Sequence, residues 1–259
     1  MGVKRALSLQ KLQELFPSYS FDILSPTTSG VVDTTYISEQ YIIKFYERDI
    51  QEKIALDADI LLHLHSAALN VPRLLEVSDG WHLYERLKGD SPQTIKLFHI
   101  QTLARFMAQF HAQKIKHPDD FLKKYEIQKT LSKIKKYYFR FYKELEPLKE
   151  YTMQNDGFIH GDIFIDNTLF NDKKIAVFDF IDGGSGAYIF DIAVALLSFN
   201  PNNRPLYTKV FLNTYNQQRA KKIALDELKK TIKIASLFYG ILRIETQKGT
   251  SRAKKLIFR

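Results

Sequence analysis

A change in hydrophobic periodicity near residue 87 constrains the fold more than any other feature of the sequence. Before this point come short β-like runs, such as residues 81–86, and residues 41–46 alternate in a period-two pattern. Alternation with a period of two is typical of β-strands and predicts a sheet in this part of the chain. A helical pattern over residues 50–68 interrupts the strands and ends at Asn70 and Pro72. An amphipathic helix is also predicted within residues 1–16.

The rest of the chain is predicted to be mainly helical. Apolar residues recur there at a spacing of three or four, for example Leu228, Ile232, Ala235, Phe238 and Leu242. Residues 158–180 depart from this pattern, because short apolar runs are separated there by the turn residues Asn171 and Asp172. We therefore predict an α+β protein with two lobes. Residues 1–86 form a lobe with an antiparallel sheet and one helix, and residues 87–259 form a helical lobe with a small hairpin.

Composition is that of an ordinary globular protein, with 259 residues of which 45% are hydrophobic. The chain has no cysteine, which excludes disulfides and thiolate chemistry and fits a reducing cytoplasm. No apolar run approaches the roughly 18 residues of a membrane span, so we predict a cytoplasmic protein without a membrane partner. The formal charge of +9 comes without a nucleic-acid-binding signature. We interpret it as solvated lysine faces and predict no nucleic-acid partner.

The segment that carries chemistry reads FIHGDIFIDNTLF at residues 158–170, followed by AVFDF at residues 176–180. Phosphoryl transfer from ATP needs a carboxylate for the acceptor hydroxyl, oxygen ligands for magnesium and a cation for the phosphates. Asp162, Asn167, Asp179 and Lys44 offer these groups. We predict Asp162 as the catalytic base and Lys44 as the phosphate-binding cation. Asn167 and Asp179, at the ends of the predicted hairpin, are the predicted magnesium ligands.

The pattern HGDxxxxN at residues 160–167, with Asp179-Phe180 and Phe190-Asp191 downstream, resembles the aminoglycoside phosphotransferase and choline kinase superfamily. Residues 162–170 look most like the homoserine kinases of that superfamily. The resemblance implies a protein-kinase-like fold and a kinase dependent on ATP and Mg²⁺. The implied reaction converts L-homoserine to O-phospho-L-homoserine in threonine biosynthesis, so the expected partner is a small hydroxyl acceptor, preferably an amino acid.

The resemblance also implies roles around the motif. His160 and Asp191 would support the catalytic loop, with Asp191 capping its own helix and bonding the loop backbone. The cofactor-binding positions would be Lys44, Gly30, Glu85 and Leu87. Asp59 would be the acidic partner of Lys44, and Glu52 on the same helix is the alternative.

Other charged residues have two interpretations each. Asp166 and Asp182 are either solvated loop acids or contacts for a substrate ammonium group. Arg243 either forms an ion pair or binds an acceptor carboxylate. Asp33 is a further candidate substrate residue, at a position where homoserine kinases usually have Asn. His111 is interpreted as a helix-packing or surface residue.

The glycine run at residues 183–186 lacks the context of a phosphate-binding loop. We predict that it is a flexible loop equivalent to a kinase activation loop.

Several other functions remain open. The acceptor is alternatively an aminoglycoside, a choline-type amino alcohol or a sugar, although the basic C-terminal half is a poor match for a polycation. A metal-dependent phosphohydrolase would need histidine ligands, and no histidine follows His160. A nucleotide-binding protein without catalysis is the third alternative.

Overall fold

The computed structural model describes residues 3–27, 33–246 and 250–258. These residues divide into two compact units. The first contains the described residues up to Asp90 together with Ala176–Ile181, and the second contains Ser91–Ile175 and the described residues from Asp182 onward. The sequence placed the boundary at residue 86 and assigned residues 176–181 to the helical lobe. The structure instead groups this segment, which carries Asp179, with the first unit.

The first unit is built on a five-stranded antiparallel sheet with the strand order β1-β2-β3-β5-β4. Its strands are β1 (Ser25–Pro26), β2 (Thr34–Ile37), β3 (Tyr41–Phe45), β4 (Leu74–Ser78) and β5 (Trp81–Glu85). The predicted helix lies between β3 and β4 as α2 (Gln51–Ser66). Lys44 on β3 is paired with His82 on β5, so the two side chains share one face of the sheet.

The first unit also contains the N-terminal helix that the sequence predicted within residues 1–16. This helix, α1 (Leu9–Leu15), begins after Ser8, whose side chain accepts a hydrogen bond from the Lys11 amide. Leu12 and Phe16 are buried with Leu83 of the sheet in one hydrophobic cluster. The N-terminal helix therefore adds to the core of this unit, because its apolar face covers the sheet.

The second unit is mainly helical, as predicted. Its helices are α3 (Leu97–Phe110), α4 (Ile127–Tyr137), α5 (Phe139–Glu144), α6 (Tyr188–Phe199), α7 (Pro205–Gln217), α8 (Leu225–Thr246) and α9 (Thr250–Ile257). Helix α6 is apolar on nearly every side and is buried along most of its length. It packs against α8, and α3 packs against α7. Among the described residues, no helix has both the length and the hydrophobicity to cross a membrane.

The prediction of a flexible glycine loop at residues 183–186 was wrong. Gly184–Gly186 forms strand β9, which pairs antiparallel with β6 (Gly157–Ile159). A Cβ atom at Gly186 would lie 2.5 Å from the Ile159 side chain and 2.7 Å from the Met153 sulfur. The glycine is there because the neighbouring side chains leave no room, and the strand is ordered by this packing.

The predicted hairpin is present as β7 (Thr168–Asn171) and β8 (Lys174–Val177), which are neighbours in a two-stranded sheet. Asp172 in its turn has a φ of 53°, a left-handed conformation that aspartate tolerates better than most residues. A short 3-10 turn, Ile165–Asn167, leads directly into β7. Asn167 therefore directly precedes the hairpin, and Asp179 follows it.

Candidate active site

The loop at residues 160–167 of the second unit holds Asp162 and Asn167 in direct contact. The Asn167 side-chain nitrogen donates to the Asp162 backbone oxygen at 2.9 Å and to its carboxylate Oδ2 at 3.0 Å. Both donors of the amide group point to Asp162, so the Asn167 amide oxygen remains as an acceptor. The two hydrogen bonds orient the Asp162 carboxylate, and they leave the uncharged amide oxygen of Asn167 to accept from, or coordinate, another group.

Asp191 binds the backbone of the same loop. Its carboxylate accepts hydrogen bonds from the His160 amide at 3.2 Å and from the Gly161 amide at 2.7 Å. The expected backbone contact is thus observed, but Asp191 does not cap its helix, because α6 begins at Tyr188 and its N-cap is Ala187. The His160 ring accepts from the Asp162 amide at 3.1 Å, so this histidine has a contact inside the loop.

A buried chain of hydrogen bonds extends from Asp191 to two further side chains. His111 Nε2 lies 3.1 Å from the Asp191 carboxylate, and His111 Nδ1 lies 2.9 Å from the Tyr215 hydroxyl. Burial lowers the pKa of His111 more than Asp191 raises it, so the ring is neutral near pH 7. Since an ionised carboxylate only accepts, Nε2 carries the proton and Nδ1 accepts from Tyr215. Sequence reasoning assigned His111 to packing and missed this chain.

The first unit contributes an ion pair between Lys44 and Asp179. The Lys44 ammonium on β3 donates to Asp179 Oδ1 at 2.8 Å, and it lies 4.7 Å from the centre of the Tyr46 ring. Burial lowers the pKa of Lys44, but the nearby carboxylates of Asp179 and Asp33 raise it further, above 10.5. Lys44 is therefore a cation throughout the physiological pH range.

The predicted acidic partners of Lys44 on α2 are corrected by this ion pair. Asp59 and Glu52 are both exposed, and the carboxylate that Lys44 contacts is that of Asp179. The buried acid of α2 is Asp57, whose charge raises the pKa of Tyr46 in addition to the effect of burial. Asp59 lies about 200° around the helix from Asp57, which explains why it faces outward.

Other predicted nucleotide positions are placed as follows. Gly30 lies outside the described residues. Glu85 is exposed at the end of β5, and its amide donates to the Arg73 carbonyl at 2.9 Å. That amide is already engaged in the sheet, so it is not available to an adenine ring. Leu87 follows two residues later and is half-buried.

The candidate substrate residues lie in different settings. In the first unit, the Asp33 carboxylate accepts from the Glu47 amide and from the Arg48 side chain, both at 3.2 Å. In the second unit, Asp166 is exposed in the 3-10 turn, and Arg243 is half-buried on α8. The candidates in the second unit also include Asp182, whose backbone carbonyl accepts from the Lys124 ammonium.

The residues present fit magnesium bound together with a nucleotide. Mg²⁺ is typically held by one or two carboxylates, substrate phosphates and water. The Asn167 amide oxygen and the partly exposed Asp179 carboxylate are oxygen donors of this kind. In the part of the chain that the structure describes, no group of three or more His, Asp or Glu side chains is placed to hold a metal ion. Asn167 in the second unit and Asp179 in the first unit thus each carry the kind of oxygen that magnesium binds.

Taken together, the fold and the loop define a kinase-like phosphotransferase. The model of the phosphotransferase enzyme family matches residues 24–225, and the chain belongs to this family. No curated protein sequence matches the chain.

Solved structures show the same protein-kinase-like fold. Macrolide 2'-phosphotransferase MphH from Brachybacterium faecium has a TM-score of 0.67 at 17% identity, covering 96% of this chain and 97% of its own. ADP-bound aminoglycoside phosphotransferase APH(2'')-Ib has a TM-score of 0.63 at 18% identity, covering 97% of each chain. The streptomycin–ATP complex of APH(2'')-IIa has a TM-score of 0.62 at 16% identity, covering 98% of this chain and 96% of its own. The shared architecture spans nearly the whole length of each protein.

Proposed function

We propose that this protein transfers the γ-phosphoryl group of ATP to a hydroxyl group of a small molecule. The observation that carries the proposal is the Asp162–Asn167 pair, held on a loop whose backbone is bound by Asp191. The ion pair of Lys44 and Asp179 supplies the cation and the second carboxylate that such a transfer requires. ADP and ATP in two of the similar structures support a purine nucleotide as the phosphoryl donor.

In the proposed mechanism, Asp162 orients the acceptor hydroxyl and takes its proton. The acceptor oxygen forms a bond to the γ-phosphorus while the bond from that phosphorus to the bridging oxygen breaks, and ADP leaves. Lys44, which stays protonated, binds the donor phosphates. Asn167 and Asp179 would hold magnesium, which supplies neutralisation of phosphate charge when it is bound with ATP.

For the acceptor, we propose an amino acid, with L-homoserine as the preferred compound. The similarity of residues 162–170 to homoserine kinases supports this choice. Arg243 supports it as well. Burial and the negative charge of Asp162 raise the pKa of the Tyr239 hydroxyl, whereas the positive charge of Arg243 lowers that pKa, so both charges lie near the same tyrosine. A guanidinium group there suits a carboxylate on the acceptor.

Macrolide or aminoglycoside antibiotics are the second candidate acceptors. The observation in their favour is that the similar structures are macrolide and aminoglycoside phosphotransferases. An aminoglycoside is a polycation and requires several carboxylates for binding. Arg243 and the basic helices of the second unit favour a neutral or anionic acceptor instead.

The test is ADP release by the purified protein with ATP and magnesium. The acceptors are L-homoserine, L-serine, choline, kanamycin and erythromycin, and the controls are the Asp162→Asn variant and an excess of EDTA. We expect turnover with L-homoserine that EDTA abolishes and that Asp162→Asn reduces by about 1,000-fold or more. Turnover with kanamycin or erythromycin alone would retain the phosphotransferase and replace the acceptor. Nucleotide binding without turnover on any acceptor would count against the catalytic proposal.

A further inference from the structure

Gly161, the residue before Asp162, has both of its backbone polar groups bound by side chains of the second unit. Its amide donates to Asp191 on α6 at 2.7 Å, and its carbonyl accepts a hydrogen bond from the Tyr239 hydroxyl on α8. Gly161 has a φ of 74°, and a Cβ atom there would collide with the ring of Phe121. The residue is thus bound on both sides by hydrogen bonds and lies close against the Phe121 ring, where no larger residue fits.

The carbonyl that Tyr239 binds belongs to the peptide plane that leads into Asp162. The six atoms of a peptide unit are coplanar, so the direction of the Gly161 carbonyl fixes the direction from the Asp162 nitrogen to its Cα. Asn167 holds the other end of the residue through the carboxylate. The Tyr239 hydrogen bond therefore acts one peptide unit away from the group that accepts the proton.

Tyr239 also contacts the loop on the other side of Asp162. Its ring packs edge to face on Phe164, with the ring centres 5.0 Å apart, and the residue is 7% exposed. Burial, together with the negative charge of Asp162, raises the pKa of the Tyr239 hydroxyl. The hydroxyl is therefore protonated at neutral pH and acts as a donor. Tyr239 contacts the residue before Asp162 by a hydrogen bond and a residue after it by ring packing.

We propose that Tyr239 is a positioning residue that sets the orientation of Asp162 through the Gly161 carbonyl. This inference rests on the proposed function, because it assigns to α8 a part in the reaction that Asp162 performs. It gives α8 a role that the loop motif does not contain, since Tyr239 lies 78 residues from Gly161 in the sequence.

Tyr239→Phe removes the hydroxyl and keeps the ring that packs on Phe164. Because one hydrogen bond contributes about 1 kcal/mol, we expect kcat to fall roughly fivefold to tenfold. The KM for ATP should stay within about twofold. A change in KM would indicate altered binding of ATP in the ground state, and the Tyr239 hydroxyl is not proposed to bind ATP. Tyr151→Phe is the matched control. It removes another partly buried hydroxyl of this unit, whose ring lies 6.2 Å from that of Phe190, and we expect it to leave kcat unchanged.

The same substitution in the Asp162→Asn background separates positioning from general damage. If Tyr239 acts through Asp162, Tyr239→Phe will cause no further loss of the residual turnover in that background. An equal fold-loss in both backgrounds, or wild-type kcat in the single variant, would overturn the proposal. A failure of the proposed function would appear differently, as a wild-type protein without turnover or as an Asp162→Asn variant with full turnover.

Amide hydrogen exchange gives a readout that does not depend on activity. The Asp162 amide donates to the His160 ring at 3.1 Å, and this bond depends on the orientation of the same peptide plane. We expect faster exchange of the Asp162 amide in Tyr239→Phe and no change in Tyr151→Phe. Unchanged exchange at Asp162 in the Tyr239 variant would show that the hydroxyl does not hold the loop.

Discussion

The two units each carry an acid–base contact close to the predicted motif, and the two contacts differ in access to water. In the first unit, the side chains of Lys44 and Asp179 are 16% and 42% exposed, whereas in the second unit those of His111 and Asp191 are 0% exposed. An accessible pair can exchange its partner for a phosphate or a cation. A buried pair cannot, and the bonds of Asp191 to the His160 and Gly161 amides hold the loop of the second unit.

The energies of the two contacts should differ in the same way. An exposed ion pair contributes about 0–1 kcal/mol to stability. Removing one partner of a buried hydrogen-bonded charge costs about 3–5 kcal/mol, because the other polar groups lose their partner in a place without water. The first contact should therefore matter for turnover and the second for both stability and turnover. The following substitutions test that difference.

Replacement of the buried carboxylate should have the largest effect. Asp191→Ala leaves His111 and the amides of His160 and Gly161 without their acceptor, and we expect the free energy of unfolding to fall by about 3–5 kcal/mol. Urea denaturation followed by circular dichroism measures the change. Asp226→Ala is the control, because that side chain is 86% exposed. A loss below about 1 kcal/mol in Asp191→Ala would remove the distinction between the two contacts.

Replacement of the accessible carboxylate should reduce turnover without unfolding the protein. For Asp179→Asn, which keeps a residue type that tolerates the left-handed φ of 70° at this position, we expect kcat to fall by about 100-fold or more, because charge stabilisation in a transition state is lost. The free energy of unfolding should change by less than about 1 kcal/mol. Steady-state ADP release and urea denaturation of the same preparation measure both quantities. Unchanged turnover would show that Asp179 has only a structural role.

The buried histidine should make stability depend on pH. Burial lowers the pKa of His111 below its ordinary value of 6.5, so the unfolded chain binds a proton that the folded chain excludes. Stability is therefore independent of this group above pH 6.5 and decreases as the pH falls below it, by up to about 1.4 kcal/mol per pH unit. Besides Asp191, the groups around the ring that affect its titration are Tyr215, Tyr188, Arg219 and Asp156.

The measurement is the free energy of unfolding of wild type and His111→Gln at a series of pH values. The variant should have a flatter dependence below pH 6.5. Parallel curves for the two proteins would mean that His111 is charged in the folded state, which would contradict the neutral ring inferred from its burial.

The smallest effect should come from a contact that is short and exposed. Lys129 and Glu126 lie 2.6 Å apart, closer than Lys44 and Asp179, but their side chains are 61% and 67% exposed. We expect Glu126→Gln to change stability by less than about 0.5 kcal/mol, and the change should disappear in 1 M salt. A larger, salt-resistant effect would mean that distance, rather than burial, sets the value of these contacts.

The motif residues could be predicted from the sequence because phosphoryl transfer limits which side chains can serve. Type, chain order and spacing selected Asp162, Asn167, Asp179 and Lys44, and the structure places Asn167 against Asp162 and Lys44 against Asp179. The buried acidic residue of α2 could also be predicted from the sequence. The apolar face of this helix includes Asp57 and excludes Asp59, and it is formed by Ile54, Ile60, Leu61 and Leu64. Counting back from Val71 and Pro72 favoured Asp59 instead, which the structure places on the exposed side of the helix.

The groups that hold the loop could not be predicted in the same way. His111 directly follows α3, Tyr215 lies on α7 and Tyr239 lies on α8, all far in the sequence from the loop they support. Their contacts arise from the packing of α3 on α7 and of α6 on α8, which a single sequence does not specify. The strand at Gly184–Gly186 was missed for a related reason, because its order depends on neighbouring side chains and not on its own composition.

In the proposed mechanism, Asp162 accepts the proton of the acceptor hydroxyl. The most direct test is the Asp162→Asn variant, assayed for ATP affinity, stability and ADP release with the acceptor that the wild type uses. The amide oxygen of the new side chain can still accept from Asn167, so folding and ATP binding should match the wild type, while kcat should fall by about 1,000-fold or more. Wild-type turnover in a folded Asp162→Asn protein would contradict the assignment of the base and the mechanism that depends on it.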